Sequence, residues 1–176
     1  MSRVLLVVDV QNDFVSGVLG TPEAQAIVPN IKKRIEQYLL YSNYSDRAKV
    51  IYTMDTHLPE DFLLSRSVEC NRIPAHCLAD TNGWDIQSDC YYPAGNIVPK
   101  SQFGYVDWDA YIDHADEVEI IGLCTDICVI SNALILRAMF PAMSITVNSS
   151  CCAGTTPDKH RAALEVMKSC LIDVME

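Results

Sequence analysis

The sequence predicts an α/β fold of three layers, a mostly parallel six-stranded sheet flanked by helices. Short apolar runs alternate with helix-like segments along the whole chain, the pattern of successive βα units. The runs are apolar at nearly every position rather than at every second one, which fits strands covered on both faces. Asp9, Asp55 and the region of Cys124 fall at the carboxyl ends of such runs. That is where open parallel sheets bind ligands, so side chains far apart in the chain are expected to meet there.

The first strand is "VLLVVDV" (4–10), a continuous apolar run cut by an acid, followed by the loop "QNDFVSGVLG". In "VPNIKKRIEQYLLYS" (28–42), Ile31, Ile35 and Leu39 recur at helical spacing, and Pro29 suits a first helical turn. "KVIYTMD" (49–55) is the second strand. Residues 56–95 lose all periodicity and hold two histidines among Pro, Gly and Asp. An irregular segment of that length inside a compact domain is usually functional. "NIVPK" (96–100) reads as a short strand and "DWDAYIDHA" (107–115) as a short helix. "EVEIIGL" (117–123) is a strand and "DICVISNALILRAMF" (126–140) a helix, apolar on most faces. Such a helix is expected to bury more than one face, against a second subunit in a homo-oligomer. "MSITVNSS" (143–150) is a strand. "TPDKHRAALEVMKSC" (156–170) is a helix with Thr156 as N-cap and Pro157 in its first turn. "LIDVM" (171–175) closes the sheet.

At 176 residues, 49% of them apolar, the chain fits one domain spanning 1–176 with a sizeable core. Net charge is −10 and the 13 Lys and Arg are scattered, which argues against nucleic acid as a partner. No apolar run reaches the roughly 18 residues of a membrane span. The amino-terminal run is interrupted by Asp9 and lacks a cleavage-type small-residue site. Eight cysteines without a repeated spacing fit thiols of a reducing cytoplasm.

Two groups of residues could carry chemistry. Cys124 and Cys128 stand four apart where strand gives way to helix. Two thiols are too few for a structural zinc site, and a disulfide between them needs suitable geometry across a tight turn. Cys128 falls in a first helical turn, where unpaired N–H groups and the helix dipole favour a thiolate. On composition alone, Cys128 as a core thiol, Asp9 as a strand-end cap and Lys100 as a solvated lysine are the favoured readings. The second group is Asp55 and His57 in "MDTHLPEDF", with Glu69 and His76 in "SVECNRIPAHC". Two histidines with one or two carboxylates suit zinc, iron or manganese; solvated loop histidines are the alternative.

"GLCTDICV" (122–129) resembles the nucleophile segment of the isochorismatase-like cysteine hydrolases. "LLVVDVQNDF" resembles that family's first strand and loop, "VPKSQFGY" its lysine segment, and "PAHCLADTNGW" its Pro-x-His-Cys run, all in the family's order. The resemblance implies the isochorismatase-like hydrolase fold, with Asp9, Lys100 and Cys128 as a catalytic triad. It also implies an oxyanion hole from the backbone N–H groups of Cys124 and Cys128, with a cis peptide at Leu123–Cys124. Asp55, His57 and His76 match the metal ligands of the nicotinamidase branch. Glu69 resembles the fourth ligand, with Glu60 as the alternative. Phe14, Ile73 and Tyr105 match pocket positions; Ile73 stands where many members carry an aromatic residue.

The implied reaction is hydrolysis of a small amide, nicotinamide to nicotinate and ammonia, through a Cys thioester. It needs one divalent metal ion and no organic cofactor; in that branch the metal holds the pyridine nitrogen. Another amide, carbamoyl or ureido substrate is the first alternative. A non-catalytic binding protein that kept the fold is the second. Isochorismate itself fits poorly with the metal constellation and the cysteine. His114 and His160 lie in helix-like surface stretches and are assigned no role.

Overall fold

The computed structural model describes residues 2–42, 48–112 and 115–176. Six strands form one sheet: β1 (Arg3–Val8), β2 (Ala48–Asp55), β3 (Asn96–Lys100), β4 (Glu117–Leu123), β5 (Ser144–Ala153) and β6 (Asp173–Met175). Their order is β3-β2-β1-β4-β5-β6, and every pairing is parallel. The chain runs outward from β1 to β3, then returns to lay β4 on the other side of β1. The carboxyl ends of β1 and β4 therefore flank the point where the winding reverses, the usual ligand crevice of such sheets.

Alternation along β1 builds two cores. Leu5 and Val7 pack under α1 (Asn12–Val15) and α2 (Pro22–Ser42), with Ile31 and Ile35. Val4, Leu6 and Val8 face the other way, toward α5 (Asp109–Ile112), α6 (Ile130–Met139) and α7 (Pro157–Ser169). Leu5, Leu6, Ile51 and Ile120 are wholly buried; each such side chain contributes about 1.5–3 kcal/mol relative to exposure. Gly122 in β4 is required where it stands. Its φ is +120°, and a Cβ there would lie 2.1 Å from the Val8 carbonyl oxygen of the neighbouring strand.

Three elements differ from the sequence reading. Helix α2 starts at Pro22, well before the expected start at residue 28. Thr21 Oγ1 caps it, accepting the Ala24 N–H at 3.0 Å. Pro29 consequently lies inside the helix, where its missing N–H removes one backbone bond. The irregular stretch 56–95 holds two short helices, α3 (Pro59–Leu63) and α4 (Val68–Arg72). The helix expected over 126–140 begins instead with a wide π-helical turn, Thr125–Val129, and α6 follows. Part of the helix expected over 107–115, with His114, lies outside the described residues. Among the described residues no helix is long and apolar enough to cross a membrane, and all eight cysteines are free thiols.

Candidate active site

Four adjacent strand ends deliver the polar residues. Asp9 follows β1 in a left-handed conformation (φ 47°) that Asp tolerates better than most residues. The Thr53 hydroxyl on β2 accepts the Asp9 N–H at 3.1 Å and donates to Asp9 Oδ1 at 2.6 Å, locking the carboxylate. Lys100 ends β3, only 6% exposed. Its Nζ lies 2.7 Å from Asp9 Oδ2, 3.8 Å from Cys128 Sγ and 3.6 Å from Asp55 Oδ1. Cys128 comes from the turn after β4, beyond the cis Leu123–Cys124 peptide bond. In an α-helical turn the Cys128 N–H would take the Cys124 carbonyl. Here the Ile127 and Val129 N–H groups take it, at 3.0 and 3.1 Å.

Burial governs the ionisation of these groups. It pushes the Asp9 carboxyl up; the Lys100 charge pulls it back, Asp55 adds to the rise, and the net shift is upward. Burial would lower Lys100, but the charges of Asp9, Cys128 and Asp55 outweigh it and keep the ammonium firmly protonated. For Cys128, burial and then the Asp9 charge drive the thiol well above its ordinary value, and Lys100 offsets only part of that. Desolvation and the Asp9 charge thus oppose the thiolate that the helix-tip position favours, and the Lys100 charge supports it.

The second cluster adjoins the first. A short parallel bridge pairs His57 with Leu78, and the His57 N–H donates to the Cys77 carbonyl at 3.0 Å. This brings His57 and His76 side by side, with ring centroids 5.0 Å apart. The Nε2 atoms of both lie 3.1 Å from Asp55 Oδ2. Glu69, in the first turn of α4, brings Oε1 to 3.5 Å from His76 Nε2. Gln11 anchors Asp55 from behind. Its Oε1 accepts the Asp55 N–H at 2.7 Å, and its Nε2 donates to the Asp55 carbonyl at 2.8 Å.

This donor set fits a divalent cation. Ligand atoms of Asp55, His57, Glu69 and His76 all lie within 4.8 Å of one another. Asp55 Oδ1 is buried without a hydrogen-bond partner. His76 Nδ1 lies 2.8 Å from the Pro74 carbonyl oxygen, which makes it the donor and turns Nε2 inward as the ligating atom. Burial would depress His76, but its hydrogen bonds to Asp55, Glu69 and Pro74 prevail and lift it to about 10. Burial would raise Asp55; hydrogen bonds from both histidines and the Lys100 charge hold it well below the usual carboxylate range. A metal ion held here would take the place of the protons that this crowding favours.

Cys128 and His76 open onto one cavity of about 310 Å³, walled by Phe14, Ile73, Phe103, Leu123 and Ile127. A model of the isochorismatase domain matches residues 3–176. The chain belongs to the isochorismatase family. Within that family it is similar to the nicotinamidase/pyrazinamidase of Mycobacterium tuberculosis, 27% identical over 190 residues and covering 98% of both chains. The pyrazinamidase of Pyrococcus horikoshii, solved in complex with zinc, has the same fold. Its TM-score is 0.84 at 24% identity, over 100% of this chain and 99% of that one. N-carbamoylsarcosine amidase of Thermoplasma acidophilum gives 0.79 at 25% identity, over 100% and 96%.

For this isochorismatase-family chain, the structure brings Asp9, Lys100 and Cys128 together and gathers Asp55, His57, Glu69 and His76 beside them. Glu60 is exposed on α3 and stands outside the cluster. Phe14 and Ile73 line the cavity, but Tyr105 does not. The Tyr105 ring packs on Trp108 and Tyr111, at centroid distances of 5.1 and 5.9 Å, and Phe103 takes the wall instead. His160, expected on the surface without a role, is half-buried with Nδ1 2.8 Å from Thr125 Oγ1. Sequence reasoning missed Thr53, Gln11 and Phe103. Thr53 carried a signal, since it sits two before Asp55 in a strand and shares its side of the sheet. Gln11 and Phe103 lie inside two of the segments that carry the resemblance, "LLVVDVQNDF" and "VPKSQFGY".

Proposed function

We propose that this protein is a cysteine amidohydrolase that converts nicotinamide to nicotinate and ammonia. The observation that supports it most is the Lys100 ammonium, within 2.7 Å of Asp9 and 3.8 Å of Cys128, beside a four-donor cluster. Asp9 is the general base. Its raised pKa makes it a stronger base than an ordinary carboxylate, which favours taking up the thiol proton. As Asp9 takes that proton, Cys128 Sγ attacks the amide carbon and the carbonyl electron pair moves onto oxygen. The N–H groups of Cys124 and Cys128 hold that oxyanion; one such donor is worth about 3–4 kcal/mol. Asp9 then returns the proton to the amine nitrogen, and ammonia leaves a thioester. Asp9 next deprotonates water, which attacks the thioester; nicotinate departs and the thiol is restored. Lys100 stays charged throughout and balances Asp9. A divalent ion held by Asp55, His57, Glu69 and His76 supplies, when bound, a Lewis-acid anchor that orients the pyridine ring. Phe14, Phe103 and Ile73 enclose the ring and exclude water.

A carbamoyl compound is the second reading, favoured by the aliphatic Ile73 wall and by the likeness to N-carbamoylsarcosine amidase. Free thiols throughout the chain support a reducing cytoplasm as its location. The test is ammonia release from nicotinamide, pyrazinamide and N-carbamoyl amino acids by wild type and Cys128→Ala. Nicotinamide turnover that vanishes in Cys128→Ala is expected. Wild-type turnover in the variant, or a preference for the carbamoyl compounds, refutes the assignment.

A further inference from the structure

The turn that carries Cys128 is held from outside, at its first two side chains. Asp126 accepts two hydrogen bonds from Thr155, the backbone N–H to Oδ1 and the hydroxyl to Oδ2, both at 2.7 Å. Thr155 follows β5 and lines the cavity. Thr125, wholly buried, sets Oγ1 2.8 Å from Nδ1 of His160 on α7. The backbone between leaves room for this and nothing larger. A Cβ on Gly154 would fall 2.8 Å from Asp126 Oδ1 and 2.9 Å from the His160 backbone nitrogen.

The turn needs such a tether. It is π-helical, and the Cys124 carbonyl binds Ile127 and Val129 rather than Cys128. Its own ladder therefore leaves the position of the Cys128 N–H weakly determined. Two N–H groups four residues apart must still converge on one oxygen atom to within about half an ångström. We infer that Asp126, through Thr155, is the positioning residue that holds the N–H groups of Cys124 and Cys128 on the oxyanion, with Thr125–His160 as a second tie. This rests on the amidohydrolase reading. The effect falls on the transition state, because the oxyanion exists only there.

Asp126→Asn preserves shape and weakens the charged acceptor. It should lower kcat on nicotinamide about 10–100-fold with KM within about twofold, since misplacement of roughly 1 Å costs that order in rate. Pyridine-3-carbaldehyde reads the same geometry without turnover. Its carbon gains the Cys128 sulfur, the carbonyl pair moves onto oxygen, and the thiol proton passes to Asp9. Its inhibition constant should rise by the factor lost in kcat, while that of nicotinate stays put. Thr155→Val keeps one of the two bonds and should show a smaller loss in the same direction. The double variant should be no worse than Asp126→Asn alone. Equal losses for aldehyde and nicotinate, a KM effect alone, or additive losses overturn the assignment. If Asp126→Asn does not fold, Thr155→Val decides it by the same readings. A wild type inert toward nicotinamide overturns the nicotinamide reading instead, and the tie is then judged on the aldehyde alone.

Discussion

Replacing Lys100 with Met removes the one ammonium shared by two buried carboxylates. The side chain is 6% exposed, and its Nζ lies 2.7 Å from Asp9 and 3.6 Å from Asp55. Met keeps the length and apolar stem but leaves Asp9 fully buried beside Asp55 with no counter-charge. Breaking a buried pair from one side costs about 3–5 kcal/mol, a large share of a domain's stability. Lys100 has its folded pKa raised, so the contribution is fully present at neutral pH and lost only as pH climbs through that raised value. Asp9 loses the charge that pulls its pKa down, takes up a proton, and ceases to be a base. Urea unfolding at pH 7, followed by tryptophan fluorescence, should show a destabilisation of about 3–5 kcal/mol in Lys100→Met. Asp9→Asn with Lys100→Met should recover most of it, because neither charge remains, while both variants stay inactive. A single variant as stable as wild type, or a double variant showing the sum of the two single losses, would refute the buried-pair reasoning.

Two further outcomes follow from the metal cluster and the thiols. His57→Ala leaves three donors, so bound zinc per chain after dialysis, by elemental analysis, should fall well below that of wild type. The stabilisation by added zinc, about 2.7 kcal/mol at a hundredfold excess over Kd, should vanish with it; a preserved melting shift would remove His57 from the ligand set. Burial raises the thiols of Cys77, Cys90, Cys124, Cys128 and Cys152, with Cys90 and Cys124 each at about 12. Raised groups hold protons in the folded state that the unfolded chain releases near pH 9, so stability must fall as pH rises beyond that point. Each thiol withholds about 1.4 kcal/mol per pH unit. Unfolding midpoints should drop steeply between pH 9 and about 10.5; a flat profile would contradict the burial of these thiols.

The parallel sheet was legible because strands covered on both faces must be largely apolar, as "VLLVV" is, and because such runs alternate with helical segments. Helix starts were legible where the cap was heeded. Thr156-Pro157 opens α7 as its cap pattern predicts, and the same pair at Thr21-Pro22 opens α2, with Pro29 inside the helix. The site residues became legible through motif resemblance; spacing alone left a solvated lysine and a core thiol standing. What stayed hidden depends on three-dimensional crowding. No local pattern reports that the turn at Cys128 is π-helical, that Tyr105 turns toward Trp108, or that burial pushes the Cys128 thiol up. Each is decided by neighbours from other strands.

Asp55 faces two ways: Oδ2 toward both histidines and Oδ1 toward Lys100. The carboxylate is thus shared by the candidate cation cluster and the charge network around Cys128. Any loading or emptying of the cluster redistributes negative charge that Lys100 feels. A lesion at this position strikes both centres at once, and refilling the cluster with metal repairs only one of them. Substitutions at His57 or Glu69 leave the Asp55–Lys100 contact in place and touch the charge network around Cys128 only through the charge on Asp55.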